Sequence, residues 1–207
     1  MTLLSLLDYA SVLIFALTGA LVASRAQLDI VGFAFVASLT AVGGGTVRDV
    51  LLDRNPVFWM AEPNYIAVTC TAALMVFFTA HRFESRLRSL IWLDSFALAV
   101  AVAAGTGVAL SLEQPSTVVV IMGVITGCMG GLMRDVVVDE VPIVLRQGEL
   151  YVTAAFAGSL VAVNAAPYFE NSLVPLALCA AITWALRAGS LLFGWSLPAY
   201  KGRPPRT

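Results

Sequence analysis

The chain has 207 residues, of which 59% are hydrophobic and only 12% charged, against about 25% charged in an ordinary soluble domain. A chain of this size folded in water buries roughly 70% of its surface, so the apolar excess has to face lipid. A net charge of −1, with Lys201 as the single lysine, leaves no basic surface for nucleic acid.

From the N-terminus, Met1–Asp8 lacks a positive segment, so the first apolar run is expected to stay as a span and not to be cleaved as a signal peptide. Uncharged stretches follow at 9–24, 30–47, 63–80, 95–112, 114–133, 150–169 and 171–186. Each approaches the ~20 residues that a helix needs to cross the hydrocarbon. Backbone groups in lipid must be satisfied within the segment, which predicts helices. A β-barrel would show short alternating segments, and the run Ala97–Ala104 has no such alternation. The expected architecture is all-α and integral to the membrane, with seven transmembrane helices.

Arg25, Arg82, Arg86, Arg88, Arg134, Arg146, Arg187, Lys201, Arg203 and Arg206 fall on one side of that arrangement, and only Arg48 and Arg54 on the other. The positive-inside rule then places the C-terminus in the cytoplasm and the N-terminus outside. Cys70, Cys128 and Cys179 are far apart in apolar runs, which reads as buried small residues and not as a disulfide framework or metal site. No metal and no cofactor is expected.

Shifted by 86 residues, the sequence falls on itself without a gap from Asp8 to Pro56. Asp8 meets Asp94, Gly19 meets Gly105, and Tyr65 further on meets Tyr151. Over Thr40–Pro56 and Thr126–Pro142, eight of seventeen positions are identical, including both residues of Arg48-Asp49 and Arg134-Asp135. Each copy holds three spans, an odd number, so the second enters the membrane from the opposite side as an inverted repeat. The expected units are residues 1–84 and 85–170, each a three-helix repeat, with 171–207 as a seventh helix and short cytoplasmic tail.

Spans two and five each carry glycines ahead of Arg-Asp. Glycine within a helix costs about 1 kcal/mol relative to alanine, so Gly43, Gly44 and Gly45 invite a break that exposes carbonyls beside Thr46. Gly130 and Gly131 invite a tighter one, with Met129 in place of Gly43. Close helix packing of the small-residue kind is the other reading of these glycines. A charge at membrane depth costs at least ~2.5–3.5 kcal/mol and is normally paired or facing water. Asp8 is expected near Arg48 and Asp49 at one face, and Asp94 near Arg134 and Asp135 at the other. Carboxylates in excess at each mouth would concentrate cations; the alternative is interfacial snorkelling. No hydrolase, phosphate-loop or zinc-protease pattern occurs, so an enzyme is not expected.

The doubled GGGTVRDVLLD and GGLMRDVVVD within two three-helix units resemble the prokaryotic members of the trimeric intracellular cation channel family, a repeat also named "glycine transporter" domain. The resemblance covers about residues 3–195. It implies a homotrimer in the lipid bilayer of a bacterial plasma (inner) membrane, with a separate pore in each protomer. Glycine-kinked second and fifth spans line that pore, which passes potassium or sodium ions, chiefly potassium. Inverted repeats with broken helices also fit a carrier of glycine or another small amino acid, whose carboxylate and ammonium Arg48 and Asp49 would receive.

Overall fold

The computed structural model describes residues 2–82 and 86–198, without the side chains of Arg82 and Arg86. The tail residues Lys201, Arg203 and Arg206 lie outside the described residues. Described residues form helices and no strand: α1 (Leu3–Arg25), α2 (Ile30–Leu51), a one-turn α3 (Phe58–Ala61), α4 (Asn64–Thr79), α5 (Arg86–Ser111), α6 (Ser116–Val137), α7 (Val152–Ala165) and α8 (Leu173–Phe193). Five of them, α1, α2, α5, α6 and α8, are long and apolar enough to cross a membrane, while α4 and α7 are shorter apolar helices.

Helices α1 and α5 start well before the first uncharged residue expected of their spans, so Asp8 and Asp94 lie inside helices. Arg48, Asp49, Arg134, Asp135 and Arg187 do as well. The charges therefore do not mark the helix ends. A buried, paired charge leaves the backbone ladder intact, so it does not terminate a helix the way proline or an unpartnered polar group does.

The two repeats agree in detail. Helix α4 packs on α1 and α2, α7 packs on α5 and α6, α1 packs on α5, and α2 crosses α6; α8 lies against α5 and α7. All four long repeat helices close in the same way. The amides of Leu28, Arg54, Gln114 and Glu140 reach back five residues to the carbonyls of Ala23, Asp49, Ala109 and Asp135. In each turn a non-glycine residue adopts left-handed backbone: Gln27, Asp53, Glu113 and Asp139, at φ between 51° and 57°. These form two pairs at the 86-residue offset.

Helix α2 places Ala37, Thr40, Ala41, Gly44, Gly45 and Arg48 on one face, and α6 places Gly123, Thr126, Gly127, Gly130, Gly131 and Arg134 on its own. The spacing of three and four residues makes each set a single stripe, and small side chains let the backbones approach. Outward faces keep Val31, Phe35, Phe78, Ile121 and Phe193 exposed, as lipid contact requires.

Candidate functional site

The helix break expected at Gly43–Gly45 is absent, because α2 runs as one α-helix from Ile30 to Leu51 and α6 as one from Ser116 to Val137. The glycines serve contact instead. A Cβ on Gly44 would overlap the Thr126 carbonyl oxygen, and one on Gly130 would overlap the Thr40 carbonyl oxygen. The two contacts are reciprocal, so the axis relating the repeats passes through this crossing. Gly19 and Gly105 complete it: their Cβ atoms would meet the hydroxyls of Thr40 and Thr126. Those hydroxyls donate to Val36 and Met122 carbonyls, both at 2.6 Å.

The other glycines of the motif differ between the copies. A Cβ on Gly43 would sit 2.8 Å from Met133 Cε, and one on Gly45 would sit 2.6 Å from the Phe58 ring. On Gly131 it would lie 3.6 Å or more from Arg134, Tyr151 and Asp94, an ordinary contact. Thr46 Oγ1 donates to the Val42 carbonyl at 2.7 Å and accepts from Trp59 Nε1 at 2.9 Å.

Three residues before the end of α2, Arg48 is fully buried. Its Nη1 donates to Asp8 Oδ1 at 2.9 Å and its Nε to Asp49 Oδ1 at 2.8 Å. Asp49 also receives Arg54 Nη1 at 2.8 Å, while its second oxygen accepts the Phe58 amide at 2.9 Å. In the second copy the buried Arg134 donates through Nη1 to Asp94 at 2.9 Å and through Nε to Asp135 at 2.7 Å. Asp135 Oδ2 accepts the Ile143 amide at 2.8 Å. In both copies, then, the arginine ties the first helix of the repeat to its second, and the adjacent aspartate catches the chain as it returns. Snorkelling is excluded for Arg48 and Arg134, since neither reaches the surface.

The clusters differ in charge. Around Arg48 two carboxylates face two guanidiniums, because Arg54 joins in, so the expected carboxylate excess at that end is cancelled. Around Arg134 two carboxylates face one guanidinium. At the position matching Arg54 stands Glu140, which pairs with Arg25 of α1 at 3.2 Å. A hydroxyl gives the carboxylates a further donor, as Tyr151 donates to Asp94 Oδ2 at 2.7 Å, while Thr18 accepts from Arg134 Nη1 at 3.1 Å. Behind Tyr151, the guanidinium of Arg187 lies 5.0 Å from its ring and 2.6 Å from Glu149, as a charge contact and not an aligned hydrogen bond.

Thr18, Tyr151 and Phe58 are site residues that the sequence reading did not single out. Tyr151 carried a signal, its match to Tyr65 at the repeat offset; Thr18 carried none, since Ala104 occupies the matching position. Between α1, α2, α5 and α6 a cavity of about 10 Å³ is lined by Asp8, Ser11, Thr40, Gly44, Gly45, Phe58, Ala101 and Thr126, among others. It runs from the Arg48 cluster to the crossing, and its volume is that of one water. Among the described residues no cluster of His, Cys, Asp or Glu has the makings of a metal site.

The family model described as "Glycine transporter" matches residues 5–81 and again 91–167, two segments whose ends are both 86 residues apart. A UPF0126 membrane protein of Vibrio cholerae is 36% identical over 96% of this chain and 83% of its own. A UPF0126 inner membrane protein of Escherichia coli K12 is 35% identical over 94% of each. Among solved structures, the trimeric intracellular cation channel orthologue of Rhodobacter sphaeroides is 39% identical. It superposes with a TM-score of 0.90, covering 94% of this chain and all of that one.

Proposed function

The chain belongs to the prokaryotic trimeric intracellular cation channel family, whose repeat carries the description "Glycine transporter", and from that membership we propose that it is a potassium-permeable cation channel of the bacterial inner membrane. The observation that carries the reading is the near-complete superposition on a solved cation channel at 39% identity. In our reading α4 and α7 are spans as well, which gives seven. Residues 1–84 and 85–170 are the inverted units and 171–207 the seventh helix with its tail. The N-terminus is outside and the C-terminus cytoplasmic.

One pore per protomer of a homotrimer follows the path where the repeats meet. Its lining comes from α2 and α6 around the Gly43–Thr46 and Gly130–Gly131 segments. Asp8, Arg48 and Asp49 stand at the outer mouth, and Asp94, Arg134 and Asp135 at the inner. The cavity between the outer cluster and the α2–α6 crossing supports this route, and its one-water volume fits a closed conformation. Potassium or sodium ions are the permeant species.

The family description favours one second reading, a carrier of glycine. The cavity on this route, at about 10 Å³, has no room for an amino acid. Purified protein in planar bilayers under a potassium chloride gradient separates the two. Unitary currents reversing near the potassium equilibrium potential are expected. Saturable glycine uptake into proteoliposomes without unitary currents would replace the channel by the carrier. Crosslinking in lipid is expected to stop at the trimer, and a ladder that stops at the dimer would refute the assembly.

A further inference from the structure

We propose that Phe58 sets the size of the outer aperture, and so the largest cation that can enter from that face; this rests on the channel reading above. The ring lines the cavity beside Asp8 and Ser11. It occupies the room that Gly45 leaves, since a Cβ there would sit 2.6 Å from ring Cε1. Its edge packs on Tyr65, with ring centres 4.8 Å apart, and the Arg48 guanidinium lies 5.4 Å from its centre. The Phe58 amide is held by Asp49, so the same carboxylate that pairs with Arg48 fixes the ring in place. With only 8% of its surface exposed, Phe58 is a buried side chain against the cavity, not one resting on the surface.

The second repeat shows that the fold does not require this ring. The 86-residue offset puts Val144 opposite Phe58, and Gly131 has no atom within 3.5 Å of a Cβ where Gly45 has the ring. The anchoring bond also moves: Asp135 holds Ile143, the match of Val57, one residue earlier than Asp49 holds its chain. The aromatic side chains that line this cavity, Phe15 and Phe58, both come from the first repeat, where the second has Ala101 and Val144. A monovalent cation that passes Asp8 along this cavity also passes the ring of Phe58. The Arg48 guanidinium already lies over that ring, so what Phe58 adds at the aperture is bulk, which excludes wider cations.

The test compares Phe58→Val, which installs the side chain of the second repeat, with the milder Phe58→Leu, each first checked for native elution in size exclusion. Under bi-ionic conditions with potassium on one side and dimethylammonium on the other, Phe58→Val is expected to raise relative dimethylammonium permeability about tenfold. That is the scale at which a pocket discriminates a missing or added methylene. Phe58→Leu falls between. An unchanged cut-off with normal potassium current overturns the aperture role and leaves the channel reading standing. A second measurement does not depend on conduction. With Cys70, Cys128 and Cys179 replaced by alanine, Ser11→Cys is exposed to an external, water-soluble methanethiosulfonate. Faster labelling in the Phe58→Val background supports the plug, and equal rates overturn it. Absence of cation current from every variant and from the unmodified protein overturns the channel reading, and the aperture with it.

Discussion

Alanine at Gly44 isolates what the glycines of the motif do. In an exposed helix Gly→Ala stabilises by about 1 kcal/mol. Here the added Cβ would overlap the carbonyl oxygen of Thr126, which is helix backbone and cannot rotate aside. Overpacking of this kind costs about 1–3 kcal/mol, and the upper end applies because α6 has to move as a unit. That movement also strips Thr126 from Gly105, and Gly130 from the Thr40 carbonyl, the other contacts that α6 makes at this crossing. The net expectation is a loss of about 2 kcal/mol, and at about 2–4 °C per kcal/mol for a protein of this size, a melting temperature lower by about 4–8 °C. Gly131 is the control, since its Cβ would meet nothing closer than 3.6 Å. There the propensity gain survives, so Gly131→Ala is expected to melt up to about 2–4 °C higher. Thermal scans of both variants in one detergent, with elution volume followed in parallel, make the comparison. A Gly44→Ala protein that melts at or above the parent, beside a destabilised Gly131→Ala, would refute the close-crossing account.

The buried arginine bridges predict an asymmetry between their two kinds of partner. Arg134→Met leaves Asp94 and Asp135 buried without their cation and is expected to cost about 3–5 kcal/mol. Asp94→Asn keeps an acceptor for Arg134 and should cost about 1–3 kcal/mol; equal melting temperatures for the two would count against the bridge. Arg54 is more exposed, at 36% of its side chain, so Arg54→Gln should change stability by no more than about 1 kcal/mol. It turns a balanced outer cluster into one of net −1, and is expected to raise potassium conductance in dilute salt with little effect at molar salt. A rise independent of salt would show that the charge acts otherwise. For orientation, a C-terminal reporter active only in the cytoplasm is expected, and activity outside alone would overturn both topology and inversion.

The repeat could be read from sequence because it rests on residue types that apolar composition does not reproduce by chance: Arg48-Asp49 over Arg134-Asp135, Asp8 over Asp94, Tyr65 over Tyr151. The pairing of Asp8 with Arg48 was legible for the same reason, as two unlike charges at one depth. The continuity of α2 was not. Helix propensity weighs glycine as an isolated residue, whereas Gly44 and Gly130 each admit the other helix's backbone, and that contact offsets the propensity cost. The place of Arg54 in the cluster was not legible either, because the turn at Asp53 that brings it back to Asp49 depends on left-handed backbone at a non-glycine residue. Thr18 was hidden altogether. Its partner is 116 residues away, and the repeat that exposes the other site residues carries alanine at its place.

The two acids of each cluster divide their work in a way that bears on how the two ends of the bundle differ. Asp8 and Asp94 belong to the first helix of each repeat and hold the arginine from across the bundle. Asp49 and Asp135 follow the arginine directly, and each uses its second oxygen to hold the amide of the chain returning over the cluster. The motif thus closes each end of the bundle from within the repeat, and any difference between the ends has to come from what each repeat adds. At the first end these additions are Arg54, which balances the charge, and Phe58, which reaches the cavity. At the second they come from other elements: Thr18 from α1, and Arg187 of α8 backing the Tyr151 that holds Asp94. Helix α8 has no counterpart in the repeat, and it packs on α5 and α7 of the second copy. The second cluster is therefore the one that can respond to movement of α8, while the first responds to the loop between α2 and α4. On the proposed route, two related clusters held by unlike neighbours would present unlike barriers to an ion arriving from either face. Current through a single oriented protomer should accordingly depend on the sign of the voltage even in symmetric salt.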